Sequence, residues 1–201
     1  NATHFSTMSV RKYNPISSSA NRLGGTLEIF HDEDIPKSTE GDLTVGLISS
    51  QGTIRVPIGD KTKITLSLRA SYINLLYSSW LTFDDASLNY SFADANFTLH
   101  HKFNNKNTLI VDYYGGFDHA DVEDYNSSIR FKSKWGNHVG ALHWKHNNNK
   151  YKIHSTIFTT NYLNQFNLNI GNLALDIPSS ISDIGIKSAL EYGKWNAGVN
   201  F

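Results

Sequence analysis

Cysteine is absent from the 201 residues of this chain, and its absence excludes several kinds of chemistry at once. Without a thiolate there is no disulfide, no cysteine-based zinc or iron–sulfur site and no cysteine nucleophile. The chain also lacks an excess of charge of one sign, because 18 Lys and Arg residues balance 18 Asp and Glu residues. A chain without a basic excess has no electrostatic footprint for a phosphate backbone, so we expect no nucleic-acid partner.

Long hydrophobic runs are missing as well. No run approaches the roughly 18 apolar residues that a membrane-spanning helix requires, and residues 1–11 lack the layout of a signal peptide. We therefore expect either a soluble protein or a chain whose beginning has been removed. Any contact with a bilayer would be made by strands.

Alternation of apolar and polar residues dominates the chain and predicts an all-β fold. The clearest stretch is Lys63 to Ile73, in which Ile64, Leu66 and Leu68 alternate with polar residues. A short strand is predicted at Thr26 to His31. The nine strands predicted after it have the approximate ranges 41–49, 52–58, 63–76, 87–103, 108–117, 126–146, 151–163, 180–192 and 195–201.

The connections between strands are of two lengths. Short turns are predicted at 50–52, 59–61, 104–107, 147–150 and 193–194, and longer connections at 78–85, 118–125 and 164–180. Apart from the first turn, short and long connections alternate. In an up-and-down antiparallel sheet this places short turns at one end and long loops at the other, as in outer-membrane barrels.

Gly136-Asn137 resembles a hairpin turn but is interpreted as the interior of one long strand, bent or bulged at the glycine. A turn there would put a long loop at the short-turn end. Aromatic residues near strand ends fit either the interfacial girdles of a membrane barrel or the ordinary core of a soluble sheet.

Four segments resemble TonB-dependent outer-membrane receptors of the Bacteroidetes type. Residues 20–27 read Ala-Asn-Arg-Leu-Gly-Gly-Thr-Leu and precede a charged hinge at 31–40, as at the family's junction between plug and barrel. Residues 45–62 are similar to the first barrel hairpin and its periplasmic turn, 68–76 to the third strand, and 135–146 to a later inward-returning strand.

The resemblance implies an antiparallel up-and-down membrane β-barrel segment preceded by the C-terminal remnant of a plug domain. Residues 1–40 would be plug remnant and hinge, and residues 41–201 the N-terminal part of the barrel. Since such receptors have about 22 strands, about nine strands would be a piece of a larger barrel. We expect an open sheet with the plug remnant lying on its polar face.

The resemblance also implies a function and a set of positions. The chain would belong to a receptor of the bacterial outer membrane that actively takes up a nutrient, such as a glycan, a peptide or a metal chelate, into the periplasm. Its partners would be outer-membrane lipid, a TonB-type energy-coupling complex acting through the missing plug region, the nutrient, and a surface lipoprotein. The implied residues are Arg22, Gly24 and Gly25 at the plug–barrel junction, Gly59, Asp60 and Lys61 in a periplasmic turn, and Tyr77, Trp80, Asp118, Asp121 and Tyr162 in ligand-binding extracellular loops.

Catalytic and metal sites are not indicated by the sequence. His100 and His101 are adjacent on a strand, and His143 and His146 are three residues apart, so each pair points to opposite faces. No nucleophile elbow, phosphate-binding loop or metalloprotease motif is present. We expect no enzyme activity and no cofactor. Two alternatives remain open: a soluble β-sandwich that binds carbohydrate through exposed aromatic residues, and a small passive barrel.

Overall fold

The computed structural model describes residues 4–12, 26–30, 32–77, 79, 81–82 and 85–201. Within these ranges the chain forms eleven strands and one short helix. The elements are β1 Thr7–Arg11, β2 Thr26–Phe30, β3 Glu40–Val45, β4 Ser49–Ile58, β5 Thr62–Ser71, α1 Ile73–Tyr77, β6 Ala86–Lys102, β7 Asn107–Asp124, β8 Ile129–Asn147, β9 Tyr151–Ile170, β10 Leu173–Tyr192 and β11 Trp195–Asn200.

Nine of the strands form a single antiparallel sheet in which every strand pairs only with its neighbours along the chain, from β3 to β11. The prediction of an all-β antiparallel meander of nine strands is therefore confirmed. The sheet is open, because β3 and β11 are its two edge strands and are not paired with each other. The described N-terminal residues form a separate two-stranded antiparallel sheet of β1 and β2 and an irregular segment at 32–39, and no plug domain is visible among them.

The connections between successive strands lie alternately at the two ends of the sheet. One end, here called the near end, has turns at 59–61, 103–106, 148–150 and 193–194, and the far end has connections at 46–48, 72–85, 125–128 and 171–172. Gly59 and Gly193 adopt positive φ angles of 63° and 58°, which glycine accepts without strain. At two other near-end turns, the side-chain oxygens of Asn104 and Asn148 each accept two backbone N–H groups, the usual role of Asn in turns.

Two of the three predictions of long loops are wrong. The stretch at 118–125 is strand β7 as far as Asp124, and the stretch at 164–180 is divided between β9 and β10 with a turn of two residues. The first stretch is stabilised as strand because its acidic residues pair with basic residues on β8. In the second, Asn and Gln residues alternate with Phe166, Leu168 and Ile170, a strand period concealed by the high amide content.

The predicted turn at 50–52 is also wrong, because Gly52 lies inside β4 opposite Leu43 and the turn falls at 46–48. The interpretation of Gly136 as strand interior is confirmed, since β8 runs from Ile129 to Asn147. The predicted bulge is absent, because Gly136 pairs with Phe117 in an unbroken register. Glycine suits position 136, since a Cβ there would make a tight contact of 3.0 Å with the carbonyl oxygen of Gly116.

The only helix in the described ranges, α1, has five residues. Nowhere in those ranges is a helix both long enough and apolar enough to cross a membrane.

Candidate functional site: the two faces of the sheet

The register divides the sheet into two faces of different chemistry. Residues directly opposite each other on neighbouring strands share a face, and one row joins Ile54, Leu66, Phe97 and Tyr113 while the next joins Thr53, Ser67, Asn96 and Tyr114. The side that carries Leu66 is called the apolar face here, and the side that carries Ser67 the polar face.

Burial on the two faces is the reverse of that in a water-soluble protein. Among the described residues the buried polar or charged side chains number ten, whereas Ile110 is the one buried large hydrophobic residue. Large hydrophobic side chains of the apolar face are exposed instead, and among them are Ile54, Leu66, Leu68, Phe117, Leu142, Trp144, Ile157, Leu163, Ile184, Ile186, Val199 and Phe201. No second layer of described residues covers this face.

The apolar surface is a band that stops before the far end. On β7 it runs from Leu109 to Phe117, and beyond Phe117 the same face carries His119, Asp121 and Glu123. Near-end residues of this face include the exposed aromatic side chains of Phe103, Tyr192 and Trp195.

Charged side chains follow the band on the apolar face and pair with one another. The Arg130 guanidinium donates to both carboxylate oxygens of Asp121, over 3.0 and 2.7 Å. Lys132 lies 3.4 Å from the same carboxylate, and Glu123 lies 3.9 Å from Arg130. These pairs join β7 to β8 across the stretch predicted to be a loop.

The two faces exchange character at the far end. Where the apolar face becomes charged, the polar face carries a row of hydrophobic residues that pair directly across five strands: Leu88, Val122, Phe131, Leu168 and Leu175. Binary patterning thus reverses along the length of the long strands, a change that becomes visible only when the faces of neighbouring strands are compared.

Hydrogen bonds connect buried side chains across the middle of the polar face. His4 bonds through Nδ1 to Ser67 Oγ at 2.7 Å and through Nε2 to Thr98 Oγ1 at 2.9 Å. Thr98 in turn donates to Asp112 Oδ1 at 2.6 Å. This order of Ser, His and Asp groups resembles a hydrolytic relay, but Ser67 is completely buried, so no substrate can reach its hydroxyl.

The segment at 32–34 is held against the polar face by two lysines. Lys63 Nζ donates to the backbone carbonyl oxygens of Asp32 and Asp34, each at 2.6 Å, and Lys145 Nζ donates to Glu33 Oε1. Three consecutive acidic residues thus lie on a basic part of the sheet, and together with His4 they attach the described N-terminal residues to the polar face.

The structure separates the predicted ligand residues. Asp118 and Tyr162 lie on the polar face in β7 and β9, with Trp135 of β8 between their strands, whereas Asp121 lies on the opposite face. Neither Asp118, Asp121 nor Tyr162 is in a loop. Around Asp118, Phe92 and Trp135 are its direct neighbours on the adjacent strands, and the Tyr90 hydroxyl donates to its carboxylate at 3.0 Å.

The remaining predicted positions are distributed as follows. Gly59, Asp60 and Lys61 form the β4–β5 turn, as predicted, and Tyr77 ends α1 in the 72–85 connection. Arg22, Gly24, Gly25 and Trp80 lie outside the described residues.

Histidines of the polar face meet in one place that the sequence did not indicate. The rings of His143 and His154, eleven residues apart, approach to 5.7 Å between centroids, and His143 Nε2 lies 3.3 Å from Asp112 Oδ2. The pairing of β8 with β9 creates this contact. Even so, the described residues contain no group of three or more His, Asp or Glu side chains with the geometry to hold a metal ion.

Comparison with protein-family models, with curated proteins and with solved structures found no match to this chain.

Proposed function

We propose that the chain is a membrane-embedded part of an outer-membrane β-barrel, a segment of a TonB-dependent receptor that takes up a nutrient. The observation that supports this proposal is the reversed burial of the two faces: hydrophobic rows are exposed and polar side chains are buried. In water, uncovered apolar surface of this extent marks an interaction site. In a bilayer it is the surface that contacts acyl chains.

The height of the apolar band suits a bilayer. From Leu109 to Phe117 a strand rises about 27 Å, and a tilt of about 40° reduces this to about 21 Å, close to the apolar band of about 25 Å on known barrels. Exposed aromatic residues at the near end and paired charges at the far end would then lie at the two membrane interfaces. The far ends of β7 to β10 would project from the membrane.

In a bilayer the backbone N–H and C=O groups of the two edge strands need hydrogen-bond partners, because each unpaired group in hydrocarbon costs several kcal/mol. Among the residues that the structure describes, β3 and β11 are open edges and β10 has no second partner from Leu173 to Gly185. The proposal therefore requires further strands that pair with both edges and complete a barrel, with the polar face lining its interior.

The polar face would serve transport. The segment at 32–34 would belong to an element that fills the lumen, through which a TonB-type complex acts. Asp118, Tyr162 and the neighbouring aromatic residues would meet the nutrient, and the hydrophobic row from Leu88 to Leu175 would require a cover outside the membrane, a position that fits a surface lipoprotein.

Tryptophan quenching by lipid tests the proposal, because the four tryptophans of the chain include residues on both faces. Single-tryptophan variants that retain Trp144 on the apolar face or Trp135 on the polar face, with Phe elsewhere, would be reconstituted with lipids brominated on the acyl chains. We expect strong quenching of Trp144 and little quenching of Trp135.

Matched controls use the same lipids without bromine. If neither tryptophan is quenched and the protein stays monodisperse without detergent, the proposal is wrong and the apolar face is covered by protein, as in a soluble sandwich.

A further inference from the structure

A polar cavity of about 540 Å³ opens at the near end of the sheet, between the turns at 59–61 and 103–106, the end of β8 and the 32–34 segment. Four lysines line it, Lys61, Lys102, Lys106 and Lys145, together with the side chains of Glu33 and Asn147. Its volume lies within the range of small-molecule sites, about 300 to 1,000 Å³.

Backbone hydrogen bonds bring these lysines together. The N–H of Lys102 donates to the carbonyl of Lys61 at 2.8 Å, and the N–H of Asn147 donates to the carbonyl of Lys106 at 2.8 Å. The β6–β7 turn is fixed by the side-chain oxygen of Asn104, which accepts the N–H of Lys106 at 2.9 Å. The cavity is therefore built on paired strand ends and a closed turn.

The cavity carries an excess of positive charge. Against its four lysines stand two carboxylates, Glu33 and Asp60. Of the four ammonium groups, only that of Lys145 has a hydrogen-bond or ion-pair partner among the residues that the structure describes. Side-chain amides of Asn105 and Asn147 and the hydroxyl of Thr108 add neutral hydrogen-bond donors to the lining.

One anionic group of the chain already occupies the cavity. Glu33 reaches in from the 32–34 segment and accepts a hydrogen bond from Lys145. Burial acts to raise the pKa of Glu33, but the hydrogen bond from Lys145 and the charges of Lys145, His100 and Lys102 outweigh it and lower the pKa below its usual value. The surroundings of Glu33 thus favour negative charge.

We propose that this cavity binds a small, multiply charged anion bearing phosphate or carboxylate groups, which displaces Glu33 from Lys145. Ammonium groups bind phosphate and carboxylate oxygens through charge-assisted hydrogen bonds. Lys61, Lys102 and Lys106, whose ammonium groups have no partner among the described residues, provide more positive charge than Glu33 neutralises. Displacement of Glu33 frees the 32–34 segment from one of its two lysine contacts. The site depends on the described turns and strands alone and does not require the lipid assignment.

Pyrophosphate is the probe for the test, and calorimetry in phospholipid-free detergent, or in buffer if the full chain stays monodisperse there, is the measurement. We expect Lys106→Gln and Lys61→Gln, both at exposed turn positions, to weaken binding about tenfold each through loss of a charged hydrogen bond. Glu33→Gln should tighten binding, because it removes the competing carboxylate. Lys150→Gln is the matched control, an exposed turn lysine at the same end that does not line the cavity.

The inference is overturned if pyrophosphate does not bind, or if Lys106→Gln and Lys61→Gln weaken its binding no more than Lys150→Gln does. Vesicles of phosphatidylcholine with and without phosphatidylglycerol identify the natural source of the anion. A gain in binding to the anionic vesicles that Lys106→Gln removes supports a lipid headgroup. Pyrophosphate binding without such a gain supports a free anion.

Discussion

Leu66 and Ser67 are neighbours on β5, yet the leucine is 38% exposed and the serine is completely buried. Ser67 forms hydrogen bonds with His4 and Thr53 on the polar face. Leu66 lies between Ile54 and Phe97 on the apolar face. This reversal of the usual burial order is repeated on β4, β5 and β6, where the other buried polar side chains include Thr53, Asn96 and His100. It determines what substitutions on each face should do.

Ile184→Arg tests the apolar face as a lipid contact. Ile184 is 78% exposed, so in water its replacement by arginine should change stability little. In a bilayer the same change should lower the free energy of unfolding by about 2 to 4 kcal/mol if the residue lies near the midplane. Urea unfolding of the protein in lipid vesicles, followed by tryptophan fluorescence, measures the difference.

Asn169→Arg is the control for that substitution, since Asn169 lies on the same face but beyond the apolar band. We expect only a small loss of stability, since the new arginine lies opposite Arg130 on β8. If the two substitutions lowered the free energy of unfolding equally, the apolar band would not be the surface that contacts lipid.

Ser67→Ala tests the buried hydrogen-bonded row on the polar face. Loss of the hydroxyl leaves His4 Nδ1 without the bond at 2.7 Å, and we expect a loss of about 1 to 3 kcal/mol in unfolding free energy. Chemical denaturation measures it, with Ser180→Ala at an exposed position as the control. A neutral result would show that water replaces the hydroxyl.

Acid should release the 32–34 segment from Lys145. Because the folded-state pKa of Glu33 is lowered, its contact with Lys145 contributes stability above the unfolded pKa and is lost as the pH falls through the folded pKa. Absence of native cysteine allows spin labels at Lys37→Cys and Asn149→Cys, and electron resonance should show the distance distribution broaden below that pKa.

Glu33→Gln should broaden the same distribution at neutral pH. The charge exchange Glu33→Lys with Lys145→Glu should restore it. If the distance distribution of the charge-exchanged variant stays broad while the protein remains folded, the ion pair does not hold the segment.

Arg130→Gln tests the charged far ends of β7 and β8. Its guanidinium donates two hydrogen bonds to the Asp121 carboxylate. Because the Arg130 side chain is 45% exposed, we expect a loss of about 1 kcal/mol. Hydrogen exchange should become faster in residues 119–124 and 129–134 and remain unchanged near Leu109. Lys134→Gln, outside the ion pairs, is the control, and an equal effect of that variant would count against a specific role for Arg130.

The sequence was sufficient for the number and order of the nine strands of the large sheet, because period-two alternation is local. It also identified Gly136 as strand interior. It missed strand β1 and the far-end parts of β7, β9 and β10. The predictions failed where polar residues lie within strands. Asp121 was predicted to be in a loop because its partners Arg130 and Lys132 lie on the next strand. Asn167 was assigned to a loop for the same reason, since it bonds to Asp176 on β10. The contact of His143 with His154 and the cavity lysines depend on register between strands, which a single sequence does not encode locally.

Pairing only between successive strands has a consequence for how such a sheet can change. A hairpin can be added or removed at either side without any other strand exchanging its partner, so the width of the sheet is adjustable in steps of two strands. A single inserted residue is far more disruptive, since it would rotate every following side chain of that strand to the opposite surface. This architecture tolerates the addition of whole hairpins, provided that each strand keeps its alternation of side chains between the two faces.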